Sequence, residues 1–356
     1  MDFYEFLSRA VREKASDLFL VAGGPLSERV GKQILPLTRE RLTARDCENL
    51  VAALYRFADR AMDVLKERGD DRFSFSAEGL ARFRVSAYKQ RGSLAAVIRI
   101  VTFGIPNGKK MGIPDEVLAL ADEPSGGLVL LTGAVRSGKS TTLACLLDRI
   151  NKNYNRHIIT IEDPIEYLHR DEKSLVSQRE VGMDTEDFQY ALSFALQQSP
   201  DVIALGALDK PETIQTALGA AEMGNLVFAV ANTQDTVHTM ERLVKVFPRE
   251  QRDMVWEQMG AVLKAVVSQQ LLPGTVDHLI PAFEIMYADG VTRPLICQGD
   301  TKQLSEILVS GNLKNMLSLD QSIFALYQNK KINRESALKY AKNPDLLKRK
   351  MWVIDD

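Results

Sequence analysis

The sequence predicts an α/β protein: a core with a parallel-rich sheet, preceded by a small α+β domain. Three observations carry this. The apolar run 128–131 leads into Gly133-Ala134-Val135-Arg136-Ser137-Gly138-Lys139-Ser140-Thr141, and residues 143–147 continue with helical spacing, so strand, phosphate-binding loop and helix succeed one another. Beyond the loop, short apolar runs alternate with helical patterns, the texture of a parallel sheet covered on both faces. Ahead of it, short stretches alternate polar and apolar residues and carry arginines on one side.

With 356 residues the chain is long for one core and predicts two domains. A hydrophobic content of 45% beside 26% charged residues is ordinary for a soluble globular protein, and a net charge of −2 gives no global footprint for nucleic acid. No apolar run approaches the roughly 20 residues that span a bilayer, and Met1-Asp2-Phe3-Tyr4-Glu5 does not read as a signal peptide. Cys47, Cys145 and Cys297 are odd in number and widely separated, as reduced thiols of a cytoplasmic protein are. His157, His169, His238 and His278 are scattered, which argues against a histidine-based metal site.

In order, Phe3, Phe6, Leu7, Ala10 and Val11 fall at helical spacing, and residues 17–21 read as a strand ended by Gly23, Gly24 and Pro25. Thr43 with Asp46 forms a capping-box signature before an apolar stripe of Leu50, Val51, Leu54 and Tyr55, predicting a helix to about Phe57. Runs 72–76 and 81–88, joined by Glu78-Gly79, read as a hairpin, and 94–100 as a further strand. Within the second run Phe83, Val85 and Ala87 share one face, and Arg82 and Arg84 share the other. The domains expected are 1–103, a linker over the turn-rich, charged residues 104–112, and a core over 113–356. In that core 157–161, 202–205 and 226–230 read as buried strands, with helices over 188–197 and 211–223 between them. Short helices follow Leu304, one opening at Ser318 and one over 334–340, and then a polar tail.

The loop's chemistry follows from its residue types. Gly133 and Gly138 let successive backbone N–H groups turn inward, and the helix N-terminus adds its positive dipole end. Ser137 and Thr141 belong to the same cradle, Lys139 reaches β/γ-phosphates, and Ser140 holds Mg²⁺. Two glycines, a lysine and a Ser/Thr at this spacing arise by accident in roughly one chain of this length in a hundred. A second cluster, Glu162, Asp163 and Glu166, closes a strand before Pro164. It suits polarising a water or assisting Mg²⁺, or else forms an acidic helix start at the surface.

These residues resemble the motifs of the secretion-motor ATPase superfamily that powers type IV pili and type II secretion. Residues 133–141, Thr160-Ile161-Glu162-Asp163-Pro164-Ile165-Glu166, Gln178-Arg179-Glu180-Val181-Gly182, Ser199-Pro200-Asp201-Val202-Ile203, Ala220-Ala221-Glu222-Met223-Gly224 and Ser268-Gln269-Gln270-Leu271 follow the family's order. Residues 15–20 and 81–87 match in the first domain. Within the superfamily the chain is most similar to the pilus-retraction (twitching motility) ATPases.

The resemblance implies a RecA-like core, a PAS-like N-terminal domain and a cytoplasmic ring of six subunits. That ring binds ATP and Mg²⁺ between its domains and lies against the inner face of the membrane on a platform protein, with no nucleic acid expected. It further implies Glu162 as base or water-positioning residue, and Arg82, Arg84, Arg91 and Arg99 as phosphate-reaching arginines. A solvated sheet face is the other reading of Arg82 and Arg84.

Several positions depart from the family pattern. The second phosphate-site strand is followed by Gly206-Ala207 where the family has Gly-Glu. Asn225 and Asn232 stand where it has histidines, and Arg136 stands at a usual glycine. Alanine cannot orient a metal-bound water, and asparagine cannot titrate. If that strand continues, Asp209 shares the face of Ala207 and substitutes for the carboxylate as a Mg²⁺ contact. Two readings follow: a hexameric ATPase motor, or a slow or non-catalytic nucleotide-binding paralogue acting as a structural or regulatory subunit, in a ring of its own or a mixed one.

Overall fold

Residues up to Gly104, joined by Glu166–Leu168, make one unit, and Ile105–Ile165 with the chain from His169 onward make a second. The computed structural model describes residues 3–123, 125–276, 278–310 and 316–355.

The first unit runs α1 (Phe3–Arg12), β1 (Asp17–Leu20), β2 (Pro25–Val30), β3 (Gln33–Arg41), α2 (Ala44–Phe57), α3 (Asp63–Arg68), β4 (Asp70–Ala77), β5 (Ala81–Gln90) and β6 (Ser93–Val101). The predicted capping box of α2 is formed: the Thr43 side chain accepts from Asp46 N while the Asp46 side chain accepts from Thr43 N. That helix buries Cys47, Val51, Leu54 and Tyr55, positions that fall on one stripe. The strands form an antiparallel sheet in the order β3-β2-β1-β6-β5-β4. On β5 Phe83, Val85 and Ala87 are buried and alternate with Arg82 and Arg84, as strand periodicity requires. Absent from the sequence reading are the β2–β3 hairpin and α3.

The second unit runs α4 (Asp115–Ala119), β7 (Gly127–Thr132), α5 (Lys139–Asn153), β8 (His157–Glu162), β9 (Leu175–Glu180), α6 (Phe188–Ala195), β10 (Val202–Leu205), α7 (Pro211–Glu222), β11 (Leu226–Val230), α8 (Thr236–Lys245), α9 (Arg252–Val262), β12 (Leu263–Pro273), β13 (Leu279–Tyr287), α10 (Thr292–Cys297), α11 (Thr301–Ser310), α12 (Leu319–Gln328), α13 (Arg334–Tyr340) and α14 (Pro344–Asp355). Among the described residues its sheet is seven-stranded, β13-β12-β7-β11-β10-β8-β9, and only β13 runs antiparallel to its neighbour. One face packs Val129, Leu131, Ile158 and Phe228 against α4 and α5. The other packs Leu130, Ile159, Ile203 and Val227 against helices from α6 to α11. A strand buried on both faces reads as an unbroken apolar run, the reason β7, β8, β10 and β11 stand out in the sequence.

One expectation is overturned at the C-terminus. The stretch read as a polar tail is helix α14, which places Leu347 and Met351, one turn apart, into a third apolar cluster with Leu272, Ile323 and Ile332. Residues 344–346, 348–350 and 352 of the helix are exposed, which is why the stretch looks polar.

Candidate active site

β7 is buried along its whole length and delivers the chain to Gly133 at the carboxyl end of the sheet. Three loop residues take left-handed backbone angles: Gly133 (φ +141°), Arg136 (φ +66°) and Gly138 (φ +92°). Glycine adopts these without penalty, whereas an L side chain pays for the close approach of its Cβ to the carbonyl. Arg136 is therefore a locally strained choice, and its side chain is exposed.

Lys139 opens α5, is 7% exposed, and donates from Nζ to the carbonyls of Gly133 and Ala134, both at 2.7 Å. The ammonium is thereby folded over the loop it must serve. Ser137 is 5% exposed, and its Oγ has no hydrogen-bond partner among the described residues. A buried hydroxyl costs free energy unless it is satisfied, so the loop holds a polar group left unmet by the described residues. Ser140 and Thr141, in the first turn of α5, are half-buried. The cradle, the lysine and the unmet hydroxyl fit a nucleotide's phosphates, and the Ser140 hydroxyl fits a hard cation such as Mg²⁺.

Strands β11 and β10 lie between β7 and β8, so the carboxyl ends of β7 and β8 are three strand spacings apart, about 14 Å. Glu162 ends β8, half-buried, with Oε1 accepting from Thr160 Oγ1 at 2.7 Å and from Gln178 Nε2 at 3.3 Å. Gly206 leaves β10 beside it: its N–H donates to Ile161 O, and a Cβ there would stand 3.3 Å from Glu162 Cα. Asp163 and Glu166 are exposed, and Glu166 counts with the first unit. His169, whose N–H binds Gln178 Oε1, has its pKa pushed down to about 4 by burial and is neutral at physiological pH.

The positions that the sequence reading sets apart from the family pattern separate in space. β10 stops at Leu205, Ala207 is half-buried in irregular chain and Asp209 is exposed beyond the buried Leu208. The premise that Asp209 shares a strand face with Ala207 therefore fails. Asn225 precedes β11 and donates from Nδ2 to Pro200 O, at the end of the sheet opposite the loop. It belongs to the fold's far edge. Asn232 follows β11 at the loop's own end, exposed, with its carbonyl accepting from Arg242. Next to it, Thr233 meets the Thr132 hydroxyl at the last residue of β7.

In the first unit, Arg82 and Arg84 are half-buried on β5 and Arg84 lies directly opposite Arg99 on β6. Arg99 Nε donates to Asp17 Oδ1 at 2.9 Å, an ion pair within that unit. Arg91 sits in the β5–β6 turn at φ +45°. Sequence reasoning passed over Thr160, Gln178, Thr132 and Thr233 as individual side chains, and gave Gln269 no role. Thr160 alone carried a local signal, two residues before Glu162 on one strand face.

The family model described as type II/IV secretion system protein matches residues 3–343. The chain belongs to that family. The type IV pilus retraction ATPase PilT of Pseudomonas aeruginosa is 37% identical over 345 residues, 97% of this chain and 99% of its own. PilU, a type IV pilus ATPase of the same organism, is 35% identical over 343 residues, 96% of this chain and 89% of its own. A crystal structure of the pilus retraction motor PilT with bound ADP matches with a TM-score of 0.88 at 37% identity, covering 98% of this chain and 99% of the other. As a member of the type II/IV secretion family the chain is similar to the pilus-retraction ATPases, with the RecA-like core and N-terminal domain expected of it. Among the described residues no helix is long and apolar enough to cross a membrane.

Proposed function

We propose that this chain is a Mg²⁺-dependent ATPase, the motor of a type IV pilus of the retraction type or of a related secretion system. It works as a ring of its own copies at the inner face of the membrane, against a platform protein there. The observation that carries the reading is the loop itself: Lys139 folded over the Gly133 and Ala134 carbonyls beside the buried, unmet Ser137 hydroxyl.

On this reading, phosphates displace the loop carbonyls from Lys139, whose ammonium then offsets charge on the β/γ oxygens. Ser140 would hold Mg²⁺, which supplies further neutralisation of the phosphates when bound. Glu162, fixed by Thr160 and Gln178, orients the water that attacks the γ-phosphorus in line. The bond from that phosphorus to the bridging oxygen breaks, giving ADP and phosphate, and the water's proton passes to solvent or to the Glu162 carboxylate. Arg82, Arg84 and Arg91 are assigned to the phosphate charge that develops in the transition state.

A second reading is favoured by Ala207 and the exposed, displaced Asp209: no carboxylate follows β10 where the family has one, so nucleotide binding persists while hydrolysis is slow. Titration with a fluorescent ATP analogue and a phosphate-release assay separate the two. Lys139→Ala is expected to abolish turnover and weaken binding at least about tenfold. Ala207→Glu raises turnover by about a hundredfold if the chain is a degenerate paralogue, and changes it little if Glu162 suffices. Unaltered nucleotide binding by Lys139→Ala overturns the assignment of the loop.

A further inference from the structure

β12 lies beside β7 on the side away from β11, in parallel register with Ser268 opposite Thr132. Gln269 is thus level with Gly133, the first residue of the phosphate loop. Although it carries a primary amide, Gln269 is only 7% exposed. Its Oε1 accepts from Thr142 Oγ1 at 2.6 Å, and Thr142, 1% exposed, stands in the first turn of α5. Its Nε2 lies 2.7 Å from where a Cβ on Gly138 would stand, and its backbone carbonyl oxygen occupies the space a Cβ on Gly133 would need.

Both glycines of the loop are therefore required from beneath as well as from the ligand side. A single residue, distant in sequence, touches the loop's entry, its last residue and the helix that follows. Burying an amide costs desolvation that an apolar filler would avoid, and the cost is offset only when the amide's partner is met, as Thr142 meets it. What the amide adds over an apolar filler is direction: it fixes the α5 N-terminus and the loop against a strand that does not itself bind phosphate.

We propose that Gln269 is the positioning residue of the phosphate loop, acting through Thr142 and the Gly133 and Gly138 backbone to hold the N–H cradle in its binding geometry. The inference rests on the nucleotide reading of that loop. Gln269→Leu removes the acceptor and leaves the Thr142 hydroxyl buried without it. Gln269→Glu keeps an acceptor for Thr142 but sets a carboxylate behind the N–H groups that face phosphate, so its effect grows with the negative charge of the ligand.

The test titrates full-length wild type and variants with fluorescent ADP and with a fluorescent non-hydrolysable ATP analogue, alongside thermal melts. Gln269→Leu and Thr142→Val are each expected to weaken binding about tenfold, and the double variant no further, because both remove one interaction. Thr142→Ser, which retains the hydroxyl, stays within about twofold of wild type. Gln269→Glu weakens the ATP analogue more than ADP, a split that general loosening of the fold does not produce. Wild-type affinity in Gln269→Leu and Thr142→Val, additive losses in the double variant, or equal losses of both nucleotides in Gln269→Glu overturn the proposal. Should Gln269→Leu not fold, Thr142→Val against Thr142→Ser decides the matter from the other side of the hydrogen bond. If wild type binds neither nucleotide and Lys139→Ala is indistinguishable from it, the nucleotide reading falls and this inference with it.

Discussion

Glu28 brings a carboxyl into the first unit between Leu18 and Leu35 of the flanking strands, 3% exposed, with Oε2 lacking a hydrogen-bond partner among the described residues. Burial, then the hydrogen bond and charge of Glu13, push its pKa up from 4.5 to about 7, against the pull of Arg9. Because the folded value lies above the unfolded one, the stability this group contributes is whole below about pH 4.5 and is lost as pH rises through about 7. Glu28→Gln is accordingly expected to raise the melting transition by about 4 °C at pH 8 and by less than about 1 °C at pH 4.5. Calorimetry at both values checks this, and an equal shift at each removes titration as the cause. At this scale the loop was legible because the phosphate-binding chemistry occupies nine consecutive residues. Gln269 was not, since its role comes from strand pairing across more than a hundred residues. Asp209 misled because the two-residue argument holds only while a strand lasts, and β10 ends at Leu205. Arg136 was noted for its type, but the reason glycine suits that position is a backbone angle that only the folded loop shows.

Elements declared themselves in proportion to how locally they are specified. The α2 and α12 capping boxes, Thr43 with Asp46 and Ser318 with Gln321, are written in four residues each, and both form. β3 was missed because it is an edge strand, largely exposed, interrupted by Pro36 and ending Arg39-Glu40-Arg41, which suppresses the apolar alternation that announces a strand. β12 and β13 carry apolar stretches of the same kind, but β12 follows α9 with no turn residue between them, so no break in the sequence separates strand from helix. α14 hides for a physical reason: among its residues of described burial, Leu347 and Met351 are the buried pair, a stripe too thin to stand out beside Lys348, Arg349 and Lys350. That thinness makes a sharp expectation. Met351→Ala, at a fully buried position, should cost about 2–5 kcal/mol and expose the C-terminal segment to protease. Leu346→Ala, at a position 40% exposed, should change stability by less than about 0.5 kcal/mol. Denaturant unfolding with limited proteolysis separates them, and similar losses in both would mean α14 is held by something other than that cluster.

For the whole molecule, the proposed motor differs from a lone ATPase in one measurable respect: its sites must take turns. A closed ring is built from head-to-tail contacts in which every subunit has the same two neighbours, so a dead subunit is felt by its neighbours wherever it is inserted. Lys139→Ala is the suitable poison, because Lys139 has its Nζ on the loop's own carbonyls and its removal changes the phosphate cradle rather than the sheet behind it. Mixed with wild type under conditions that allow subunit exchange, it reports the coupling directly. Independent sites lose activity in proportion, so an equal mixture keeps about half of the wild-type rate. Strict turn-taking in a ring of about six requires every member to be competent, and an equal mixture then keeps only about one part in sixty. The expected curve bends well below the proportional line, with mass by light scattering taken on the same mixtures to show that the subunits have in fact mixed. A straight line from fully mixed rings would leave the chain an ATPase whose subunits fire alone, and would remove the sequential coupling on which a filament-retracting motor depends.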